Sequence, residues 1–264
     1  MKMQRQIIDL SISLEETKNE PQKVAIKRID HKNGTNVLVK ELEELGFFND
    51  KIRFEAKDIP DNEFLANEMV ELTTHCGTHL DAPYHFGSIC EGKKARTIDN
   101  IPLDWCYNDG VLLDLTYKGA CELITDLDIE RALDNIQYTL KPYDIVLIKT
   151  GYDRFLGTNK YFAEHPGMSE EATSYICKFG VKIIGIDTFG FDLPFKTMVN
   201  EFSQTKEKKH FWPAHLYGRK KEYCHIERLV NLDSIPQPVG FKVACFPIKI
   251  ANAGASWTRV VAII

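Results

Sequence analysis

The runs GVLLDLT at 110–116, TDLDIERALDNI at 125–136 and DIVLIKT at 144–150 decide the fold class of this chain. The two outer runs are short, apolar and rich in Val, Ile and Leu, as strands are, while the middle one spaces its apolar residues for a helix. Thr125 supplies an N-cap and Asp128 an acid for the first helical turn. Strand, helix, strand is the repeating unit of α/β proteins.

Downstream the alternation continues. Ser169 caps SEEATSYICKF, Gly180 suits the position after the helix end, and VKIIGID at 181–187 is a strand. Beyond it, VGFKVACFPIKI and WTRVVAII read as two further strand regions separated by the turn-rich ANAGAS. Upstream, RQIIDLSISL at 5–14 alternates well enough for a strand, and EMVELTT at 68–74 alternates more clearly. Strands gathered at both ends with helices between them predict a mixed sheet, not a purely parallel one. No repeat, low-complexity tract or long linker divides residues 1–264, so a single domain is expected. Two segments are less orderly: 21–64, where VLVKELEELGF suggests a helix ending at Gly46, and 189–211, a long and largely polar connection leading towards His215.

Composition narrows the function. With 44% hydrophobic and 27% charged residues over 264 positions, the chain is of ordinary globular type. Its net charge of −5 is not gathered into runs, and no basic stripe suits nucleic acid. Neither a signal-peptide core nor a membrane span is visible, since Asp9 interrupts the early apolar run, so a cytoplasmic protein is expected. Seven scattered cysteines without a C-x-x-C pair form no zinc-ribbon or disulfide pattern; Cys76, between His75 and Gly77, is weighed as a nucleophile and set aside for want of a fixed partner.

The chemistry concentrates in THCGTHLDAPYHF at 74–86, which holds three of the eight histidines and an aspartate. Buried separately, each imidazole would need its own polar partner, whereas a metal satisfies them together. Thr73, Thr74, Gly77 and Thr78 are poor helix material, so the motif is expected on a strand that meets a glycine turn. His79 and Asp81 then share a face, with His75 folded back beside them. Two imidazoles and a carboxylate suit Zn²⁺, Mn²⁺ or Fe²⁺. His85, beyond Pro83, is expected to reach the site without ligating and to move protons.

HCGTHLDAPYH at 75–85 resembles the H-x-G-T/A-H-x-D-x-P-x-H signature of the metal-dependent cyclase/hydrolase family that includes bacterial kynurenine formamidase and isatin hydrolase. IIGIDT at 183–188, WPAH at 212–215 and FPIKIANAGASWTRVVAII at the end are similar to further family segments, as is the opening IIDLS. The resemblance implies a single-domain α/β sandwich with a mixed sheet, of a swivelling β/β/α-like kind. It implies His75, His79, Asp81, His215 and Glu227 as ligands for one or two divalent ions, Zn or Mn, with His85 as catalytic acid/base. Glu227 is preferred to its neighbours Glu222 and His225 on the family's spacing. Phe86, Phe211 and Trp212 flank ligand positions and are expected to line a substrate pocket.

The reaction so implied is hydrolysis of an amide, cyclic imide or lactone of a small molecule, arylformamidase-like, by metal-activated hydroxide. The alternatives are a polyketide-type cyclase using the same metals and a metal-dependent binding protein without turnover. Family members commonly form dimers or tetramers, so a homo-oligomer is expected, with neither nucleic acid nor membrane as partner. Leu216 stands where formamidases tend to have a second histidine, and the segments 21–64 and 189–211 look longer than theirs.

Overall fold

A computed structural model describes residues 6–16 and 21–264, and contacts divide it into two compact units. The first holds the described residues up to Leu14 together with Thr74–Ile264. Its nine strands are β1 Ile7–Asp9, β2 His79–Asp81, β3 Tyr107–Asp114, β4 Ile145–Lys149, β5 Ile183–Ile186, β6 Cys224–Glu227, β7 Phe241–Ala244, β8 Ala255–Trp257 and β9 Val261–Ile263. They form one mixed sheet in the order β1-β9-β7-β3-β4-β5-β6-β2-β8. The central strands β3 to β6 are parallel and the flanking pairs antiparallel, so the expected mixed α/β fold is what forms.

Burial on both faces explains the continuous apolar runs of the parallel strands. On β4, Val146 and Ile148 join one core and Ile145 and Leu147 the other. Each such side chain contributes about 1.5–3 kcal/mol when fully withdrawn from water. The first core is covered by α2 Asp126–Asn135 and α3 Glu170–Cys177, whose Ile129, Ala132, Leu133, Ala172 and Ile176 pack into it. Thr125 and Asp128 form the expected capping box of α2, and the Ser169 hydroxyl accepts from the Ala172 N–H of α3.

Two expectations need correction. The strand foreseen at 68–74 spans Asn67–Glu71, and the chain then turns through 74–78 before β2 begins, because Gly77 adopts a φ of +64°. The connection 189–211 contains a helix, α4 Phe195–Thr205, whose Phe195, Met198, Val199 and Phe202 repeat at helical spacing behind a polar surface. Short helices α1 Pro83–Phe86 and α5 Pro213–Tyr217 complete the features that matter for the site. Arg5, the first residue of the N-terminal strand reading, lies outside the described residues.

The second unit, Glu15–Thr73, carries a helix at His31–Glu44 capped by Asp30 and an antiparallel ribbon pairing Ala25–Ile29 with Asn67–Glu71. Among its described residues only Gly34 and Thr35 are buried. No described helix is long and apolar enough to cross a membrane.

Candidate metal centre

Strand β2 lies between β6 and β8, and the pleat does most of the assembly. Residues two apart on a strand share a face. His79 and Asp81 therefore project together, as do His225 and Glu227, and the antiparallel register sets His79 opposite Glu227 and Asp81 opposite His225. Nε2 of His79 is 3.6 Å from Asp81 Oδ1 and 3.5 Å from Glu227 Oε2. Nε2 of His225 is 3.0 Å from Asp81 Oδ2 and 3.5 Å from Glu227 Oε1.

The turn at Gly77 brings His75 back, its Nδ1 lying 3.0 Å from Asp81 Oδ1. From α5, His215 places Nε2 3.7 Å from Glu227 Oε1 and 3.9 Å from Asp81 Oδ2. The five side chains expected as ligands thus meet, and two sets have donor atoms within 4.8 Å of one another: His75, His79 and Asp81, and Asp81, His215, His225 and Glu227. Asp81 belongs to both. Glu222, an alternative to Glu227, points elsewhere and pairs with Arg96.

His85 sits on α1, where Pro83 starts a single helical turn that swings the imidazole back to within 3.7 Å of Asp81 Oδ2. Its ring centroid is 4.2 Å from that of His75 and 5.5 Å from that of His215, and it belongs to neither ligand set. Burial, helped by the surrounding imidazoles and opposed by Asp81, pushes its pKa down to about 4. At neutral pH it is an uncharged base with its side chain 34% exposed.

The rest of the site favours positive charge. Burial opposes ionisation of both carboxylates, yet the imidazoles around them prevail and hold Asp81 and Glu227 well below the usual carboxylate range. Burial likewise works against protonated imidazole, but the hydrogen bonds and charges of Asp81 and Glu227 raise His225 to about 9, and those of Asp81 raise His75. Two ionised carboxylates at the bottom of a buried imidazole cluster make a cation trap.

Hydrogen bonds on the far side of the rings decide which nitrogen faces it. The Gly77 carbonyl can only accept, so His79 donates from Nδ1 at 2.9 Å and Nε2 is the nitrogen turned inward. The Tyr223 hydroxyl donates to the Ala214 carbonyl and so is placed to accept from Nδ1 of His225, 3.3 Å away. His79 Nε2 is buried without a hydrogen-bond partner, and Asp81 Oδ1 is buried against the His75 ring, whose Nδ1 is 3.0 Å away. A polar atom orphaned like His79 Nε2 is costly in a folded protein unless a partner satisfies it. The imidazole and carboxylate set fits a borderline divalent ion such as Zn²⁺ or Mn²⁺.

Of the flanking aromatics, Phe86 is buried beneath the imidazoles, its ring 4.9 Å from His225 and 5.6 Å from His215. Gly218 is what lets it lie there, since a Cβ at that position would fall 2.1 Å from the ring. Phe211 and Trp212 pack with Phe202 and Phe195 of α4. Six of the seven cysteines, Cys76 among them, are buried, and no disulfide joins the described residues.

Sequence reading weighs His225 only as an alternative to Glu227, where the structure brings both together, and it misses Asp192, which is bonded to His215. His225 was recoverable, because a ligand at Glu227 on a strand makes the residue two before it a neighbour on the same face. Asp192 carried no local signal.

Comparison with known proteins follows the same line. A sequence model of the Cyclase family, described as "Putative cyclase", matches residues 8–193. The chain is 28% identical over 195 residues to a kynurenine formamidase of Geobacillus thermodenitrificans, covering 72% of this chain and 76% of that one. It is 33% identical over 109 residues to an uncharacterized protein of Haemophilus influenzae, covering 40% of this chain and 64% of that one, so it spans less than two thirds of that relative. Among solved structures, an isatin hydrolase bound to the product analogue thioisatinate superposes with a TM-score of 0.73 at 20% identity, covering 98% of this chain and 92% of that one.

Proposed function

We propose, from the premise that this chain belongs to the Cyclase family, that it is a metal-dependent hydrolase of a small-molecule amide, cyclic imide or lactone. The observation that carries the reading is the convergence of four imidazoles on two buried, ionised carboxylates, with His79 Nε2 orphaned among them. The kynurenine formamidase relative supports amide cleavage, and the likeness to isatin hydrolase is one of fold.

In this reading His75, His79 and Asp81 hold one divalent ion, Zn or Mn, and Asp81, His215, His225 and Glu227 hold a second. The chemistry such ions supply when bound is polarisation of a carbonyl and a lowered pKa for water. His85 accepts a proton from the attacking water, for which its uncharged state at neutral pH prepares it. It then passes that proton to the leaving nitrogen or oxygen, which ends as a free amine from an amide, or as the tethered amide N–H or hydroxyl of an opened imide or lactone. Partial exposure gives His85 access to substrate, while Asp81 and Glu227 stay buried and ionised beneath it.

A dimer or tetramer belongs to the same reading. It is supported by Leu45, Phe47, Ile52, Leu65 and Met69, which the second unit leaves exposed, and sedimentation velocity checks it. The test of function is elemental analysis of purified protein together with a screen of aryl formamides, cyclic imides and lactones. Up to two ions per chain and hydrolysis of one of these classes are expected. Protein that takes up no transition metal after reconstitution refutes the reading.

A further inference from the structure

We propose that Asp192 is the positioning residue of the second ion set, fixing His215 in the tautomer that presents Nε2 to Asp81 and Glu227. The inference rests on the metal reading above and adds to it a residue outside both ligand sets.

Asp192 is only 2% exposed, and every polar contact of its carboxylate goes to the start of α5. Oδ1 accepts from the Ala214 N–H at 2.7 Å, while Oδ2 accepts from the His215 N–H at 3.2 Å and from His215 Nδ1 at 2.5 Å. A carboxylate has no proton to give when ionised, so the short contact places a hydrogen on Nδ1 and leaves Nε2 as the nitrogen that faces Asp81 and Glu227. Capping the helix accounts for the two backbone N–H contacts. The contact of Oδ2 with ring Nδ1 is what a helix cap leaves unexplained.

The backbone that carries Asp192 is itself pinned to the site. The N–H of Phe191 donates to Glu227 Oε1 at 2.8 Å, and its ring stacks on His225 with centroids 4.2 Å apart and planes 10° apart. The Phe191 carbonyl accepts from the Met168 N–H at 2.8 Å. Gly167 lets the chain pass so close that a Cβ there would lie 2.2 Å from the Asp192 carbonyl carbon. Residues 191 and 192 therefore touch three members of the second set, Glu227, His225 and His215, through three different groups. Partners of this sort orient ligating imidazoles and raise their basicity, and their loss commonly costs 10–100-fold in metal affinity.

Asp192→Asn keeps the contact with the Ala214 N–H and removes both contacts of Oδ2, with the His215 N–H and with Nδ1. The amide oxygen can still accept from Ala214, but the amide nitrogen cannot accept from His215 Nδ1, which favours moving the hydrogen to Nε2 and turning a donor towards the carboxylates. The experiment is long-range ¹H–¹⁵N correlation on histidine-labelled protein, with stepwise zinc or manganese titration of the parent, Asp192→Asn and His215→Ala. Expected are Nδ1–H at His215 in the parent and Nε2–H in Asp192→Asn. The second ion should be bound at least 10-fold more weakly while the first ion, the His79 signals and the thermal melt stay as in the parent. An Asp192→Asn protein that keeps Nδ1–H at His215 and binds the second ion within twofold of the parent overturns the proposal. If the variant does not fold, the parent decides alone, since Nε2–H at its His215 is equally fatal. A parent that takes up no ion refutes the metal reading, and the tautomer of its His215 still decides for or against Asp192.

Discussion

The two ligand sets that meet at Asp81 are built in opposite ways. His75, His79 and Asp81 come from seven consecutive residues, and a single turn at Gly77 gathers them. His225 and Glu227 reach Asp81 because β6 pairs with β2 in one register, and His215 reaches it from a short helix distant in sequence. A register slip of one residue would send His225 and Glu227 to the other face of the sheet and leave the first set untouched. The local set is thus specified by chain geometry and the assembled set by the whole fold, so substitutions should separate them.

The largest effect is expected at the local set. His79→Ala removes a buried, orphaned nitrogen that nothing nearby replaces, and should leave no ion at the His75, His79 and Asp81 position and only background turnover. Elemental analysis and an activity assay on the same preparation check this, and a fully loaded, active variant would break the distinction between the sets. Next in size is His85→Ala, which should lower turnover by about 10²- to 10⁴-fold while ion content and folding stay as they were. Loss of ion together with activity would make His85 a ligand of the local set.

At the assembled set, His225→Ala should weaken the second ion while the first remains, whereas Glu222→Gln, whose carboxylate pairs with Arg96 and belongs to neither set, should change neither. Titration by calorimetry separates them, and an unaltered second ion in His225→Ala would reduce that set to Asp81, His215 and Glu227. The smallest effect concerns a buried carboxylate outside both sets. Burial raises the pKa of Asp128, but hydrogen bonds from Lys118, Thr125 and Tyr117 prevail and lower it to about 2. Its pKa is depressed in the folded state, so the stabilisation is present above roughly pH 4 and is lost as pH falls towards 2. After screening by solvent this amounts to about 1 kcal/mol. Asp128→Asn should therefore melt lower at pH 7 and lose part of the parent's acid sensitivity, with ion content unchanged. A variant whose melting temperature matches the parent's at pH 7 would show the pair to be neutral.

Much of this was legible along the chain. The runs at 110–116 and 144–150 became β3 and β4 because strands buried on both faces must be apolar throughout. Thr125 and Ser169 capped their helices because a hydroxyl at that position satisfies a free N–H wherever the helix sits. The motif at 75–85 was readable because its partners are near neighbours. The helix at Phe195–Thr205 was missed, since its apolar stripe is thin and its remaining residues are polar.

By itself the sequence determined the central strands and the two helices between them, where those helices begin, and that imidazoles and a carboxylate gather at 75–85 in a pattern suited to a cation. Those properties depend on neighbours a few residues away. Tertiary structure alone decided that His225 stands opposite Asp81, that Phe191 holds Glu227, and that Asp192 orients His215. Each of these joins residues distant in sequence through strand register or a buried hydrogen bond, and the free energy that selects such a pairing belongs to the packed sheet as a whole, not to any stretch of the chain.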